Sequence, residues 1–438
     1  MSAKKTKKFP IGGVNLPERK NLTRNKSIEK MSEPDEVAIP IAQHIGAPAK
    51  PIVKKGDKVK KGDLIAKFDE GLSARIHASI GGIVQGTVKR PMPERGEMEC
   101  ILIKKDDKKQ NLNNFEIAKN EDITPEIIRE RVEKAGVVGL GGACFPTHVK
   151  LNPPEEKEID TVIINGAECE PFLTVDHRLL LEEYTALFRG LQLIKNAVGA
   201  QKGIIAIEVN KQDAIDKLQE KITDWPDLEV TPLDTRYPHG AEKHLIKAVL
   251  DREVPLGELP MEVGVVVNNV QTAIKIARAV DEGSPLISRV ITVSGDALKK
   301  PTNLEVPIGT SIKDVIEYCG GASTDKFQVV VGGPMTGINA DNTSTPITKG
   351  TSGVVLIPAD EYSDSEKRAC IRCGKCVDVC PMYLSPNRIC DFVNNDLIDQ
   401  AVNIGLMDCI ECGACAYVCP SKRPLVRWIK RGKARADN

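Results

Sequence analysis

Hydrophobic and polar positions change period several times along this chain, and each change marks a part. From 37 to 104 apolar residues come in short runs (Val37-Ala38-Ile39, Pro51-Ile52-Val53, Leu64-Ile65-Ala66) cut by glycines, with turn signals across Lys55 to Asp63. That pattern predicts short strands. From 120 to 285 strand-like and helix-like stretches alternate. A helix opens at Thr124-Pro125-Glu126 with a capping threonine, a proline at its first position and an early acid, and ends at Gly136. Then come a strand at Thr161 to Ile164, a helix from Leu179 to Val198, a strand at Gly203 to Val209, a helix from Ala214 to Ile222, and a strand at Val263 to Val267 meeting another helix. Such alternation argues for a parallel α/β sheet. Residues 286–337 read as a small α+β unit, with strands at Arg289 to Ser294 and Gln328 to Val331 around a capped helix from Ser311 to Glu317. Residues 338–365 read as a linker. In the part that follows, 366–424, helical spacing of Leu397, Ile398, Ala401, Val402, Ile404 and Leu406 predicts mostly helix. The two ends are basic: residues 1–36 read as a solvated arm, with docking on a partner as the alternative, and residues 425–438 as a solvated tail around Trp428 that could meet a lipid surface or partner.

Within the helical part lies the strongest chemical signal. Cys370, Cys373, Cys376, Cys380 and Pro381 repeat as Cys409, Cys412, Cys415, Cys419 and Pro420. Each run is C-x2-C-x2-C-x3-C-P, the spacing of bacterial two-cluster iron–sulfur proteins, in which the fourth cysteine ligates the other cluster. One [4Fe–4S] cluster is therefore expected on Cys370, Cys373, Cys376 and Cys419. The other is expected on Cys380, Cys409, Cys412 and Cys415. Structural zinc favours paired C-x2-C rather than a triplet followed by C-P.

Composition narrows the setting. Hydrophobic residues are 41% and charged residues 28% of the chain, with zero formal net charge, so nothing global points to nucleic acid. No apolar run approaches the ~18 residues of a membrane span, so work at a membrane would be peripheral. Residues 1–30 hold no apolar core of a secretory signal, and Cys100, Cys144, Cys169, Cys319 and Cys390 are scattered, so a reducing, cytoplasmic setting is expected.

Three loops in the α/β part carry further candidates. Gly139 to Lys150 is glycine-rich, which lets backbone N–H groups approach a phosphate or flat ring, although it is not G-x-G-x-x-G. Asn165-Gly166-Ala167-Glu168-Cys169-Glu170-Pro171 sits at the C-terminal end of a strand, where α/β sheets bind ligands. Asn268 and Asn269 stand where a strand meets a helix, as heterocycle ligands or as helix caps.

These residues carry a family resemblance. Gly139 to Lys150 is similar to the flavin loop of the NADH-binding subunit of respiratory complex I. Asn165 to Pro171, Tyr237 to Leu245 and Asn268 to Thr272 are similar to three further motifs of that protein, in the same order. The 288–337 unit resembles the SLBB domain that follows there, and 37–104 resembles the barrel-sandwich fold of biotinyl and lipoyl domains. Neither Met-Lys-Met nor Asp-Lys-Ala occurs, so a docking module is expected rather than a swinging arm. The order of parts resembles the RnfC family, a component of the ion-translocating Rnf electron transport complex, over nearly the whole chain. The resemblance implies a multidomain α/β and α+β protein: a barrel-sandwich β domain, a Rossmann-like flavin/NADH domain (120–285), an SLBB-type unit (286–337) and a helical two-cluster ferredoxin domain (366–424). It implies FMN, NAD(H), and partner subunits at the cytoplasmic face of a membrane that couple electron flow to ion transport, with ferredoxin reached indirectly. By the same resemblance Gly139, Gly141, Gly142 and Lys150 cradle the FMN phosphate and ring. Asn165, Glu168, Tyr237, Gly240, Asn268, Asn269 and Thr272 hold the rest, and Phe145 stacks the nicotinamide nucleotide. Glu170 and Glu242 stand near the hydride-transfer face as catalytic candidates. Two alternatives stand beside this reading: the same architecture serving another acceptor, such as a cobalamin or a thiol protein, and a cluster-only relay, motivated by Ala167 and Ala241, which replace acids of the family motif.

Overall fold

The computed structural model describes residues 5–68, 70–93, 96–106, 112–118, 122–359 and 368–436. The first residues of the arm, residues 120–121 of the flavin domain, 360–365 of the expected linker, 366–367 and 437–438 lie outside the described residues.

The arm is threaded through the fold rather than solvated. Its backbone joins the flavin domain at Lys7, whose N–H donates to Pro232 O (2.9 Å), and at Val14, which exchanges hydrogen bonds with Tyr237. Phe9 stacks on His244 and meets His239 edge-on. Lys20 is buried because its amine donates to the carbonyls of Glu170 and Leu173. Strand β1 (Ile28–Lys30) then enters a distant sheet. The apolar residues among the lysines explain the difference: Phe9, Val14 and Met31 are all buried.

Strands β2 (Glu36–Pro40), β3 (Lys50–Pro51), β4 (Lys58–Val59), β5 (Leu64–Lys67), β6 (Ile76–His77), β7 (Gly82–Met92) and β8 (Gly96–Lys105) form two sheets, β2-β8-β7-β4 and β3-β5-β6. Ile39, Ile65, Ile76, Ile101 and Ile103 fill the space between them. The same core takes in Val138, Leu140 of the glycine loop, Leu286 and Ile308, so this domain docks on the flavin domain through its own interior.

The flavin domain holds α1 (Pro125–Lys134), α2 (Thr147–Lys150), β9 (Thr161–Gly166), α3 (Val175–Glu182), α4 (Tyr184–Val198), β10 (Lys202–Glu208), α5 (Gln212–Lys221), β11 (Leu228–Leu233), α6 (Glu242–Leu250), β12 (Val265–Asn269) and α7 (Val270–Glu282). The sheet is parallel in order β11-β10-β9-β12. Alternate strand residues face two cores: Val162, Ile164 and Ile205 meet α1, α4 and α7, while Ile163, Ile204 and Val267 meet α6. The expected single helix from 179 to 198 is two helices, separated at Glu183 (φ −122°). Strand β11 escapes sequence reading because it contains Pro232, tolerated at a sheet edge. The chain order reverses at β9, so the C-terminal ends of β9 and β12 lie side by side, with Asn269 paired to Asn165.

Strands β13 (Ser288–Ser294), β14 (Thr302–Pro307), β15 (Phe327–Val331), β16 (Ile338–Asn339) and β17 (Gly353–Pro358) join β1 in the order β1-β14-β13-β17-β15-β16, beside α8 (Ile312–Tyr318). The expected linker thus supplies β17, a buried apolar run whose Val354, Val355 and Leu356 lie between β13 and β15. The cluster domain holds α9 (Lys375–Asp378), α10 (Pro386–Asn394), α11 (Ile398–Asn403), α12 (Ala414–Tyr417) and α13 (Leu425–Ala436). Helix α13 corrects the expected tail: Leu425 and Ile429 are buried with Ile389 and Val393 of α10, and most of the basic residues stay on the outer face.

One buried lysine ties three parts together. Lys349 Nζ donates to Arg75 O (2.7 Å) in the barrel and to Gly136 O (2.7 Å) after α1. Burial pushes its amine down from 10.5 to about 7. Between those values the folded protein binds fewer protons than the unfolded chain, so stability rises with pH through that window. Relative to Lys349→Met, the wild type should gain about 2 kcal/mol between about pH 7 and pH 9 in anaerobic chemical denaturation. Parallel pH profiles for the two proteins would remove this account.

Candidate redox site

A cleft of about 870 Å³ opens at the C-terminal ends of β9 and β12. That volume lies toward the upper end of small-molecule sites, about 300–1,000 Å³. Its glycine wall is closed by Gly139 N–H donating to Phe145 O (2.8 Å) and anchored by Leu140 N–H donating to Thr272 Oγ1 (2.9 Å). Gly142 has φ +115°, and a Cβ there would meet no atom of the described residues within 4 Å, so the loop offers bare backbone to the cleft. At the opposite wall Asn165 accepts from Ala167 N–H (3.1 Å) and donates to Gly240 O (2.8 Å). Asn269 caps α7 by accepting from Gln271 N–H (2.9 Å), and its amide donates to Asp176 (2.7 Å).

The two acids of the β9 loop are fixed by backbone donors. Glu168 accepts from Asp176 N–H (2.9 Å) and His177 N–H (3.3 Å), holding the start of α3. Glu170 accepts from Met335 N–H (2.9 Å) and from Thr336 N–H and Oγ1 (2.9 and 2.5 Å). Burial raises the Glu170 pKa, and these donors draw it back down. Both Glu170 oxygens are therefore engaged in clamping the 335–336 loop over the cleft, rather than free beside a substrate. Glu242, at the cleft edge, pairs with Lys150 (3.0 Å). Asp176 also faces the cleft, and burial followed by the charge of Glu168 raises its pKa.

Of the residues expected around a flavin, Gly141, Gly142, Asn165, Glu168, Glu170, Tyr237, Gly240, Glu242 and Asn269 line this cleft. Gly139, Phe145, Lys150, Asn268 and Thr272 do not line it. Asn268 is 5% exposed, and its Nδ2 has no hydrogen-bond partner among the described residues. Sequence reading missed Asp176 and Arg289, and the wall given by Gly332, Thr336 and Thr351. The available signal for Arg289 was a cation opening an apolar strand run.

The cysteines gather as two sets of four. Cys370, Cys373, Cys376 and Cys419 line one cavity; Cys380, Cys409, Cys412 and Cys415 line a second. Among the described residues no three potential ligands converge tightly enough to hold a single metal ion; the thiols surround a space instead. The two runs share one backbone path. Arg372 and Glu411 both take φ near +55° and donate N–H to the sulfurs of Cys370 and Cys409 at 3.4 Å. Ile410 and Cys412 line both the second cavity and the large cleft, and Tyr237 OH donates to Cys412 O (2.6 Å). The first cavity lies at the surface, beside Ile371, which is 67% exposed.

Each part of this geometry has counterparts in known proteins. Residues 8–108 match the RnfC barrel sandwich hybrid domain, 132–278 the Nuo51 FMN-binding domain, 290–339 the SLBB domain and 363–420 the 4Fe-4S dicluster domain. The chain is 45% identical, over 96% of its length and 92% of the relative's, to the C subunit of the proton-translocating ferredoxin:NAD(+) oxidoreductase complex of Clostridium ljungdahlii. The chain belongs to the RnfC family. Another RnfC relative, from the Na(+)-translocating ferredoxin:NAD(+) oxidoreductase complex of Acetobacterium woodii, is 43% identical over 96% of this chain and 95% of its own. The RnfC fold is also shared in part with an NAD+-reducing [NiFe]-hydrogenase in the H2-reduced state, at TM-score 0.52 and 20% identity, over 75% of this chain and 69% of that one. The multidomain architecture expected from sequence is therefore the RnfC architecture, with FMN and two [4Fe–4S] clusters as its cofactors. The barrel match begins at residue 8, in accord with an arm packed into the fold rather than set apart from it.

Proposed function

We propose that the chain passes electrons between NAD(H) and, through FMN, two [4Fe–4S] clusters to or from partner subunits of a membrane-bound, ion-translocating ferredoxin:NAD oxidoreductase. The observation that carries this reading is the shared wall: the cleft suited to a flavin ends on Ile410 and Cys412, which also line the second cysteine cavity. The residues fit a flavin nucleotide by their chemistry. Bare glycine backbone, the capped start of α7 and a buried Arg289 nitrogen with no hydrogen-bond partner among the described residues stand together at one end, and Asn165 and Asn269 are held by hydrogen bonds. Bound FMN supplies hydride acceptance and one-electron release.

The side chains contribute position and exclusion of water. Glu170 holds the 335–336 loop across the cleft, and Glu168 and Asn269 fix the starts of α3 and α7. In this reading Cys380, Cys409, Cys412 and Cys415 hold the cluster next to the flavin. Cys370, Cys373, Cys376 and Cys419 hold the outlet cluster, close to a partner. Among the described residues no helix is long and apolar enough to cross a membrane, and attachment at the cytoplasmic face through partners accords with that. Anaerobic titration of the reconstituted protein with NADH, and separately NADPH, tests the proposal by flavin and cluster absorbance. NADH should bleach the flavin and then the clusters. Flavin that binds but stays oxidised with either nucleotide would move another acceptor ahead, and absence of bound flavin would leave a relay.

A further inference from the structure

Arg289 opens the β13 strand run and is 1% exposed, yet it lines the cleft of the flavin domain. Its Nε donates to Thr351 O (2.8 Å) and its Nη2 to Leu140 O (2.6 Å). Its Nη1 is buried with no hydrogen-bond partner among the described residues. The two carbonyls satisfy N–H groups but do not neutralise the cation; Asp176 is the acid whose charge acts on it, with no hydrogen bond between them among those of the described residues, and a buried charge is costly unless it is paired and hydrogen-bonded. Leu140, gripped through its carbonyl, is itself tied by its N–H to Thr272 in the first turn of the 13-residue helix α7. The guanidinium thus sits at the corner of the glycine loop and a helix N-terminus, where anions are favoured.

We propose that Arg289, a residue of the SLBB-type unit, anchors the phosphate of FMN from outside the flavin domain. This rests on the flavin reading of the cleft given above. Lys150, the cation that the family resemblance assigns to this task, is paired with Glu242 at the cleft edge and does not itself line the cleft. Arginine's planar fork matches phosphate oxygens, and two of its nitrogens are already held by carbonyls, so little ordering remains to be done on binding. The acid that shares this wall, Asp176, is hydrogen-bonded to Asn269, and burial makes it keep its proton more readily, which lessens repulsion of a phosphate. The arrangement also makes flavin retention depend on how the SLBB-type unit docks.

The test compares FMN with riboflavin, which lacks only the phosphate, by fluorescence quenching on full-length apo-flavin protein. Arg289→Gln should weaken FMN by about ten- to a hundred-fold, as expected for loss of a charge-assisted pair, and leave riboflavin unchanged. Arg289→Lys should fall between. An unchanged ratio of FMN to riboflavin affinity in both variants overturns the proposal, as does equal weakening of the two ligands, which would make Arg289 a loop support. Should the glutamine variant fail to fold, the lysine variant decides by the same ratio. Wild-type protein that binds neither ligand would instead overturn the flavin reading of the cleft.

Discussion

Replacing Cys412 by serine should leave NADH able to bleach the flavin while the reducing equivalents stay there. Cys412 lines the cavity of the second cysteine set and the wall of the cleft. Its backbone carbonyl accepts from Tyr237 OH, a contact that serine keeps, so the variant tests the sulfur and not the loop. Protein-bound iron and sulfide should fall by about half, on the proposal that each set of four thiols holds one cluster. Transfer from NADH to a one-electron acceptor should drop by more than about 100-fold, because loss of even an outer partner of a metal site costs about 10–100-fold. Cys373→Ser, at the exposed end of the first cavity, is the matching control. It should leave the flavin and one cluster reducible by NADH while onward transfer is lost. Cys412→Ser protein that still reduces the acceptor at the wild-type rate would reverse the proposed order of carriers.

Legibility in the sequence followed the range of the interactions. Which cysteines share a cavity was readable because the spacing of the two runs is local. The glycine loop and the 165–171 segment were readable for a similar reason: strand ends and close backbone approach leave marks within a dozen residues. The misread parts depend on distant partners. Lysines dominate the arm, but Phe9, Val14 and Lys20 find their places against residues more than a hundred positions away. Strand β17 looked like linker because the sheet order β13-β17-β15 inserts it between strands that precede it in the chain. The same limit governs the site. Glu170 reads as an acid beside a substrate until Met335 and Thr336 are seen to take both its oxygens, and Arg289 belongs by sequence to another unit.

Gly190→Ala sets two effects of opposite sign against each other. Gly190 lies inside α4, where alanine is favoured over glycine by about 0.5–1 kcal/mol, so helix propensity alone makes the substitution stabilising. The packing says otherwise. A Cβ at Gly190 would lie 2.0 Å from the carbonyl oxygen and 2.5 Å from the carbonyl carbon of Ala273 in α7. Those are backbone atoms of a helix in the main core, flanked by Leu187, Leu191, Ile194 and Ile274, and no side-chain rotation relieves the clash. Overpacking of this kind costs about 1–3 kcal/mol where side chains can give, so backbone against backbone should reach the upper end and outweigh propensity by about 2 kcal/mol. The cost extends to the site, because Ala273 follows directly on Thr272, which fixes the glycine loop, and lies one turn from Asn269, which caps the helix. Moving α7 away from α4 moves both. The variant should therefore unfold earlier in anaerobic denaturation and retain less FMN on purification, while its iron content stays at the wild-type level. Stabilisation by about 1 kcal/mol with full flavin content would show that the two helices can part without cost and that propensity decides.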